Sequence, residues 1–234
     1  MTELQAEIRR GGETGAFRRY EVPRRDNRTA LDVATYIQRR LAPMLACRVV
    51  LLLPLLCCQL AFAAEVEGVK LDEHVKLGSS ELVLNGAGVR TRVIFKVYVG
   101  ALYLPEKKSG AAEVLALKGP KRVSMTLLRD LGAQQLIDAL EDGIRANHSQ
   151  AEIAALEGRI EALAAVMKEI GSAKEKTVIA LDFLPESGTR ITVDGAARGE
   201  PIPGEDFYAA LLKIWLGGKP VDADLKKAML GQGA

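Results

Sequence analysis

A chain of 234 residues that is 48% hydrophobic and 26% charged is long enough for one domain with an appendage, and too apolar for low-complexity disorder. Its net charge of +2 conceals an uneven split: residues 1–63 carry ten arginines against six acids, and the remainder carries 22 basic against 24 acidic residues. The larger part has no basic surplus with which to neutralise phosphates, which argues against nucleic acid as a partner.

The first stretch with a pattern is FRRYEVPRRDNRTALDVATYIQRRLAP, residues 17–43, which resembles the opening hairpin and first helix of succinate dehydrogenase iron–sulfur subunits. The cysteine run that would hold a cluster does not follow, so no cluster is expected. MLACRVVLLLPLLCCQLAFAAEVEG, from Met44, then has the layout of an export signal. Arg48 gives a positive start, Val49 to Leu60 an apolar core, and Ala61 and Ala63 the small residues that a signal peptidase reads. That core falls short of the roughly 20 residues of a membrane span. Pro54 and the lack of a polar face argue against a buried helix. Leu56 and Cys57, the residues before Cys57 and Cys58, are not small, so lipid anchoring is not expected. The expectation is an extension over 1–43 that is a fusion remnant or a misassigned start, with Met44 as the true start. A signal peptide over 44–63, cleaved after Ala63, then releases residues 64–234 into the periplasm, with no integral membrane span in the mature protein.

All three cysteines, Cys47, Cys57 and Cys58, lie within the signal-like stretch, so the mature part has no disulfide framework, cysteine-metal site or thiol nucleophile. With only His74 and His148 beside them, no metal site is expected. Residues 66–84 read as short extended pieces around a turn at Gly78-Ser79-Ser80. In LNGAGVRTRVIFKVYVGALYLPE (84–106), Gly86 and Gly88 have no third glycine after them and no helix, which excludes a dinucleotide loop. The alternation from Val89 to Val99 predicts a strand, with the glycines as the turn into it and Gly100 as a bulge before ALYLP. AAEVLALKG predicts a short helix and KRVSMTLLRD a strand.

Two helices follow. Leu136, Ile137, Leu140 and Ile144 form one apolar face, and a second stripe runs from Ile153 to Ile170 behind a capping box of Ser149 and Glu152. KTVIALDFLPESGTRITVDG predicts a hairpin turning at Pro185–Gly188. Glycine- and proline-rich steps lead to a helix over EDFYAALLKIWLGG, and DADLKKAML closes the chain with another. This order predicts an α+β fold, an antiparallel curved β-sheet with helices packed on one face.

Four stretches in this order, NGAGVRTR, FKVYVGALYLPE, LEDGIRAN and LLKIWLGGKPV, resemble the chalcone isomerase-like family in its bacterial exported branch, over residues 68–230. The resemblance implies a cleft between sheet and helices for a flat or elongated apolar molecule, with no cofactor. It places the family's catalytic arginine on Arg90 and its helix-terminal asparagine on Asn147. The strand threonine falls on Tyr98, the helix tyrosine on Leu140, and the later hydroxyl residue near Ile214. Two aliphatics in place of donors leave the moving charge of a chalcone cyclisation unsupported, so isomerase activity is not expected. The fatty-acid-binding members fit better, with Arg90 and Tyr103 holding a carboxylate once a bulge at Gly100 brings them to one face.

Plainer readings stand beside these: Arg90 as a solvated strand arginine, Tyr98, Tyr103 and Trp215 as packing, Asn147 as a helix cap. The functional expectation is an exported, non-catalytic binder of a small apolar carboxylate such as a fatty acid. The alternatives are an isomerase with an altered site and a scaffold whose cleft is filled. Nothing in the residues speaks to oligomeric state.

Overall fold

The computed structural model describes residues 3–9, 17–23 and 63–232, in two units divided between Gln59 and Leu60. In the first unit β1 (Glu3–Arg9) pairs antiparallel with β2 (Phe17–Pro23), from Glu3↔Pro23 to Arg9↔Phe17. The helix expected after β2, and the export-type stretch from Met44 as far as Phe62, lie outside the described residues.

The second unit opens with a small hairpin of β3 (Ala63–Val66) and β4 (Val69–Asp72). A curled seven-stranded sheet follows as a meander in which every neighbour is antiparallel. Its strands are β5 (His74–Leu77), β6 (Ser80–Arg92), β7 (Phe95–Leu104), β8 (Lys121–Leu127), β9 (Val178–Leu184), β10 (Gly188–Val193) and β11 (Ala196–Ile202). Helix α1 (Ala111–Ala116) joins β7 to β8, and the pair α2 (Ala133–Asn147) and α3 (Gln150–Ile170) joins β8 to β9. Helices α4 (Glu205–Leu216) and α5 (Ala223–Met229) complete the chain.

The two faces of the sheet bury separate cores, because side chains alternate along each strand. On one face Tyr98, Leu102 and Leu104 of β7 join Met125, Ile179 and Leu181 against the helices. On the other, Val99, Ala101 and Tyr103 join Leu82 and Leu84, with Val66 and Val69 of the small hairpin packed over them. Helix α4 is apolar nearly all round, as a helix enclosed on several sides must be. The capping box at α3 forms as expected: Ser149 N donates to Glu152 Oε2 at 2.7 Å, and Glu152 N to Ser149 Oγ at 3.4 Å. The strand β11 is absent from the sequence reading. It is an edge strand whose side chains, Ile202 apart, are exposed and which contains Pro201, so no alternation announces it.

The segment around Arg90 also differs from its expectation. Gly86 and Gly88 do not turn the chain; they sit inside β6, and the turn falls at Val93 and Ile94, between Arg92 and Phe95. Nor is Gly100 a bulge, since it pairs in regular register with Gly88. The register slips instead at Asn85 in β6 and at Val97 in β7, each an extra residue on its strand. These glycines are small because α5 lies on them: a Cβ on Gly86 would collide with the Ala228 carbonyl, and one on Gly88 with the Ala228 side chain. The bulged Asn85 fastens the same contact, donating from Nδ2 to Met229 O (2.7 Å) and Lys108 O (2.9 Å) and accepting from Lys108 N (2.6 Å).

Gly86→Ala is therefore expected to destabilise the fold by about 1–3 kcal/mol through overpacking. Gly158→Ala on the exposed side of α3, where a new Cβ meets nothing within 4 Å, should stabilise it slightly. Urea denaturation of both variants checks this, and equal midpoints would remove the close-approach argument.

Candidate functional site

The bulge at Val97 decides what faces Arg90. With one extra residue in β7, Tyr98 stands directly across the strand pair from Arg90, and both point toward the helices. The Arg90 guanidinium carbon lies 5.6 Å from the centroid of the Tyr98 ring, within cation–π range. Tyr98 Oη in turn accepts a hydrogen bond from Trp215 Nε1 of α4 at 2.8 Å. Tyr98 and Trp215 are buried and Arg90 is half-buried. Burial pushes the Tyr98 phenol up from its ordinary range, against the pull of the Arg90 charge and the Trp215 N–H. The hydroxyl therefore keeps its proton, and no acceptor among the described residues takes it. Arg90 Nε is likewise buried and without a hydrogen-bond partner.

These three side chains line one end of a cavity of about 290 Å³ between the sheet and helices α2, α3 and α4. Its walls are apolar: Val97, Met125, Leu136, Leu140, Met167, Ile179 and Ile214. Arg92, Arg129 and Gln135 stand with Val93 and Phe95 in the same lining, and the Arg129 guanidinium lies over the Phe95 ring at 5.0 Å. Arg90 and Arg92 also border an adjoining polar groove that holds Asp138, Asp142 and Lys219. Arg90 thus stands between greasy walls and a hydrated exit.

A family model of chalcone isomerase-like proteins matches residues 63–231. The chain belongs to the chalcone isomerase-like family. Among solved structures that match it is a fatty-acid binding protein of Arabidopsis thaliana, with a TM-score of 0.53 at 12% identity. That comparison covers 70% of this chain and 92% of the other, and it establishes the fold alone. No curated protein matches the sequence.

Within this chalcone isomerase-like chain the sequence-expected residues divide. Arg90, Tyr98, Leu140 and Ile214 meet at the cavity, so aliphatic groups form its wall where the family resemblance placed a tyrosine and a hydroxyl residue. Tyr103 does not join them. Five residues beyond Tyr98 in a regular stretch of β7, it faces the opposite side of the sheet, between Leu84 and Arg122. The expected pairing of Arg90 with Tyr103 needed a bulge at Gly100, and the bulge lies before Tyr98 instead.

Asn147 is occupied elsewhere. Its Nδ2 donates to Gly143 O (2.9 Å) and Lys219 O (2.8 Å), and its Oδ1 accepts from Lys219 N (2.9 Å). It clasps the loop between α4 and α5 to the end of α2. His74 lies 3.1 Å from Glu81, and His148 Nδ1 lies 2.8 Å from the Ile144 carbonyl. Three polar cavity residues escaped the sequence reading: Arg92, at the end of β6, Arg129, just past the end of β8, and Gln135, on the first turn of α2, where no spacing rule singles any of them out. Trp215 is core, as expected, but its indole N–H also holds the tyrosine.

Tyr103 keeps its own phenol protonated to about 12, chiefly through burial, with Asp72 adding to the rise and Arg122 opposing it. A group whose folded pKa lies above its unfolded value stabilises the fold below the unfolded pKa and loses that contribution as pH climbs to the folded one. Stability should therefore hold to about pH 10 and then decline toward pH 12, and Tyr103→Phe should remove part of the decline. Melting temperatures between about pH 9 and pH 11.5 test this; an identical alkaline loss in the variant contradicts it.

Proposed function

We propose that this chain is an exported, non-catalytic carrier of a single apolar carboxylate, a fatty acid or a molecule of that shape. The observation that carries the reading is a contrast among its part-buried arginines and those around them. Arg122, Arg145, Arg159 and Arg190 each face a carboxylate, and Arg198, which does not, is exposed on the edge strand β11 away from the cavity. Arg90, Arg92 and Arg129 line one apolar cavity, and among the described residues none of them has a carboxylate within salt-bridge distance. Guanidiniums so placed are available to an incoming anion, and the protonated Tyr98 hydroxyl supplies a second donor beside Arg90. The acyl portion then lies against Leu140, Met167, Ile179 and Ile214.

The size of the cavity narrows the ligand. About 290 Å³ is at the lower edge of the roughly 300–1,000 Å³ of small-molecule sites, which favours one short to medium acyl chain over a two-chain lipid. The same space argues against a scaffold with a filled cleft. Leu140 and Ile214 argue against an isomerase, since neither can donate to a developing enolate oxygen. The solved neighbour described as a fatty-acid binding protein supports the reading at the level of the shared fold.

Arg90→Ala is expected to weaken the binding of a saturated medium-chain fatty acid by about 2 kcal/mol, roughly 30-fold. The corresponding fatty alcohol should bind both proteins alike. Trp215, the single tryptophan, reports occupancy by fluorescence. Unchanged acid affinity in the variant would remove Arg90 from the site.

Export is the second half of the proposal and rests on the order of Arg48, the apolar core and Ala61-Phe62-Ala63. N-terminal sequencing of the periplasmic protein should read Ala64 first. A chain that retains residues before Ala61 would count against a cleaved signal.

A further inference from the structure

We propose that the tip of the β6–β7 hairpin docks the protein on an anionic lipid bilayer, with the mouth of the cavity opening onto the membrane. The tip is the anomaly of the surface. Val93, Ile94 and Phe95 are 90%, 79% and 56% exposed, and they are the large hydrophobic side chains left exposed among the described residues. They are consecutive, so they form one apolar point rather than scattered groups of the kind every surface carries. A turn of this length ordinarily holds asparagine, aspartate or glycine. Here valine occupies it with φ at +58°, a left-handed conformation that a β-branched residue adopts only under constraint. Stability alone gives no reason for an exposed Val-Ile pair in that turn.

Charge identifies the partner. Arg92 and Arg129 are exposed beside the tip, and neither has a carboxylate partner among the described residues. Asp138 and Asp142 lie in the groove that Arg92 also borders, and the other charges around the tip are engaged. Lys96 holds Glu67 at 2.6 Å, and Lys174 holds Asp130 at 2.8 Å. The Asp222 carboxylate accepts from Thr91 N at 2.9 Å and caps α5 through Asp224 N and Leu225 N. An apolar point flanked by two guanidiniums without a carboxylate partner matches the two layers of an anionic bilayer: acyl chains for Ile94, phosphates for the arginines. A protein partner has no need of that layering.

Position links the surface to the site. Val93, Phe95, Arg92 and Arg129 line the cavity as well as the tip, so a molecule leaving the membrane at this point enters directly between the apolar walls. Docking is a claim about the protein and the bilayer, and it is measured with no ligand present.

Hydrogen exchange of the full chain, with vesicles of phosphatidylcholine alone and with about one-third phosphatidylglycerol, tests it. Exchange at residues 92–96 should slow on the anionic vesicles only. Ile94→Asn should weaken the association about tenfold, and Arg129→Glu by at least about fivefold. Ile94 is outside the cavity lining, so fatty-acid affinity in vesicle-free buffer should not change in Ile94→Asn. Slowing confined to residues 49–60, slowing equal on both vesicles, or slowing unaffected by Ile94→Asn would each overturn the proposal. So would protection of the tip that appears without vesicles and grows with protein concentration, which would assign it to a second copy of the chain. A tip that docks on a protein that binds no medium-chain fatty acid in vesicle-free buffer would overturn only the carrier reading.

Discussion

The cross-strand pair of Arg90 and Tyr98 is the constraint around which the cavity is organised. A half-buried guanidinium beside apolar walls is expensive to desolvate, and the usual remedy is a carboxylate partner. Here the remedy is weaker: an aromatic ring at 5.6 Å on one side and a hydrated groove on the other. The ring itself is fixed by the Trp215 N–H, so that sheet and helix layer together set the position of one donor pair. What remains is a positive charge whose Nε is unsatisfied and whose aromatic neighbour has a hydroxyl proton to give. The carrier proposal gives both deficits one answer, an anion with an apolar tail.

Much of the second unit can be understood as holding that geometry. Helix α5 presses on Gly86 and Gly88 of β6 close enough that a methyl group would not fit, and Asn85 ties the strand to both the end of α5 and the loop after β7. Asn147 performs the equivalent task just past the C-terminal end of α4, clasping the loop that carries Lys219 and so the rim of the polar groove. These are side-chain amides used as fasteners, each fully engaged with backbone groups. They locate the elements that bear Arg90 and Trp215 without themselves entering the cavity.

The parts of this arrangement that were legible in the sequence are those written in periodicity. The stripes of α2 and α3, the capping box at Ser149, the hairpin turning before Gly188 and the α+β order all follow from spacing that one element can satisfy by itself. Register is different, because it belongs to two strands at once. The alternation from Val89 to Val99 announced extended chain on both sides of the turn. It could not show that the turn sits at Val93 and Ile94, since two β-branched residues in a tight turn run against turn propensity. Nor could it place the extra residue at Val97 rather than at Gly100, because glycine suits a bulge and suits equally a strand on which a helix lies. That one displacement exchanged Tyr103 for Tyr98 as the neighbour of Arg90.

The opposite face of the sheet shows what these arginines look like when the fold completes them. Tyr103, Arg122, Asp182 and Arg190 lie side by side across four strands. There Arg122 donates to both oxygens of the fully buried Asp182, at 2.5 and 2.8 Å, with Arg190 reaching it at 3.4 Å. Removing that carboxylate would strand two positive charges, so the fold closes this row around its own acid. The helix-side face, five residues back along β7, has arginines and a tyrosine without a carboxylate among them. A fold able to build a closed ionic row on one side has the means to build one on the other. Its absence beside the apolar cavity is the feature on which the carrier proposal rests.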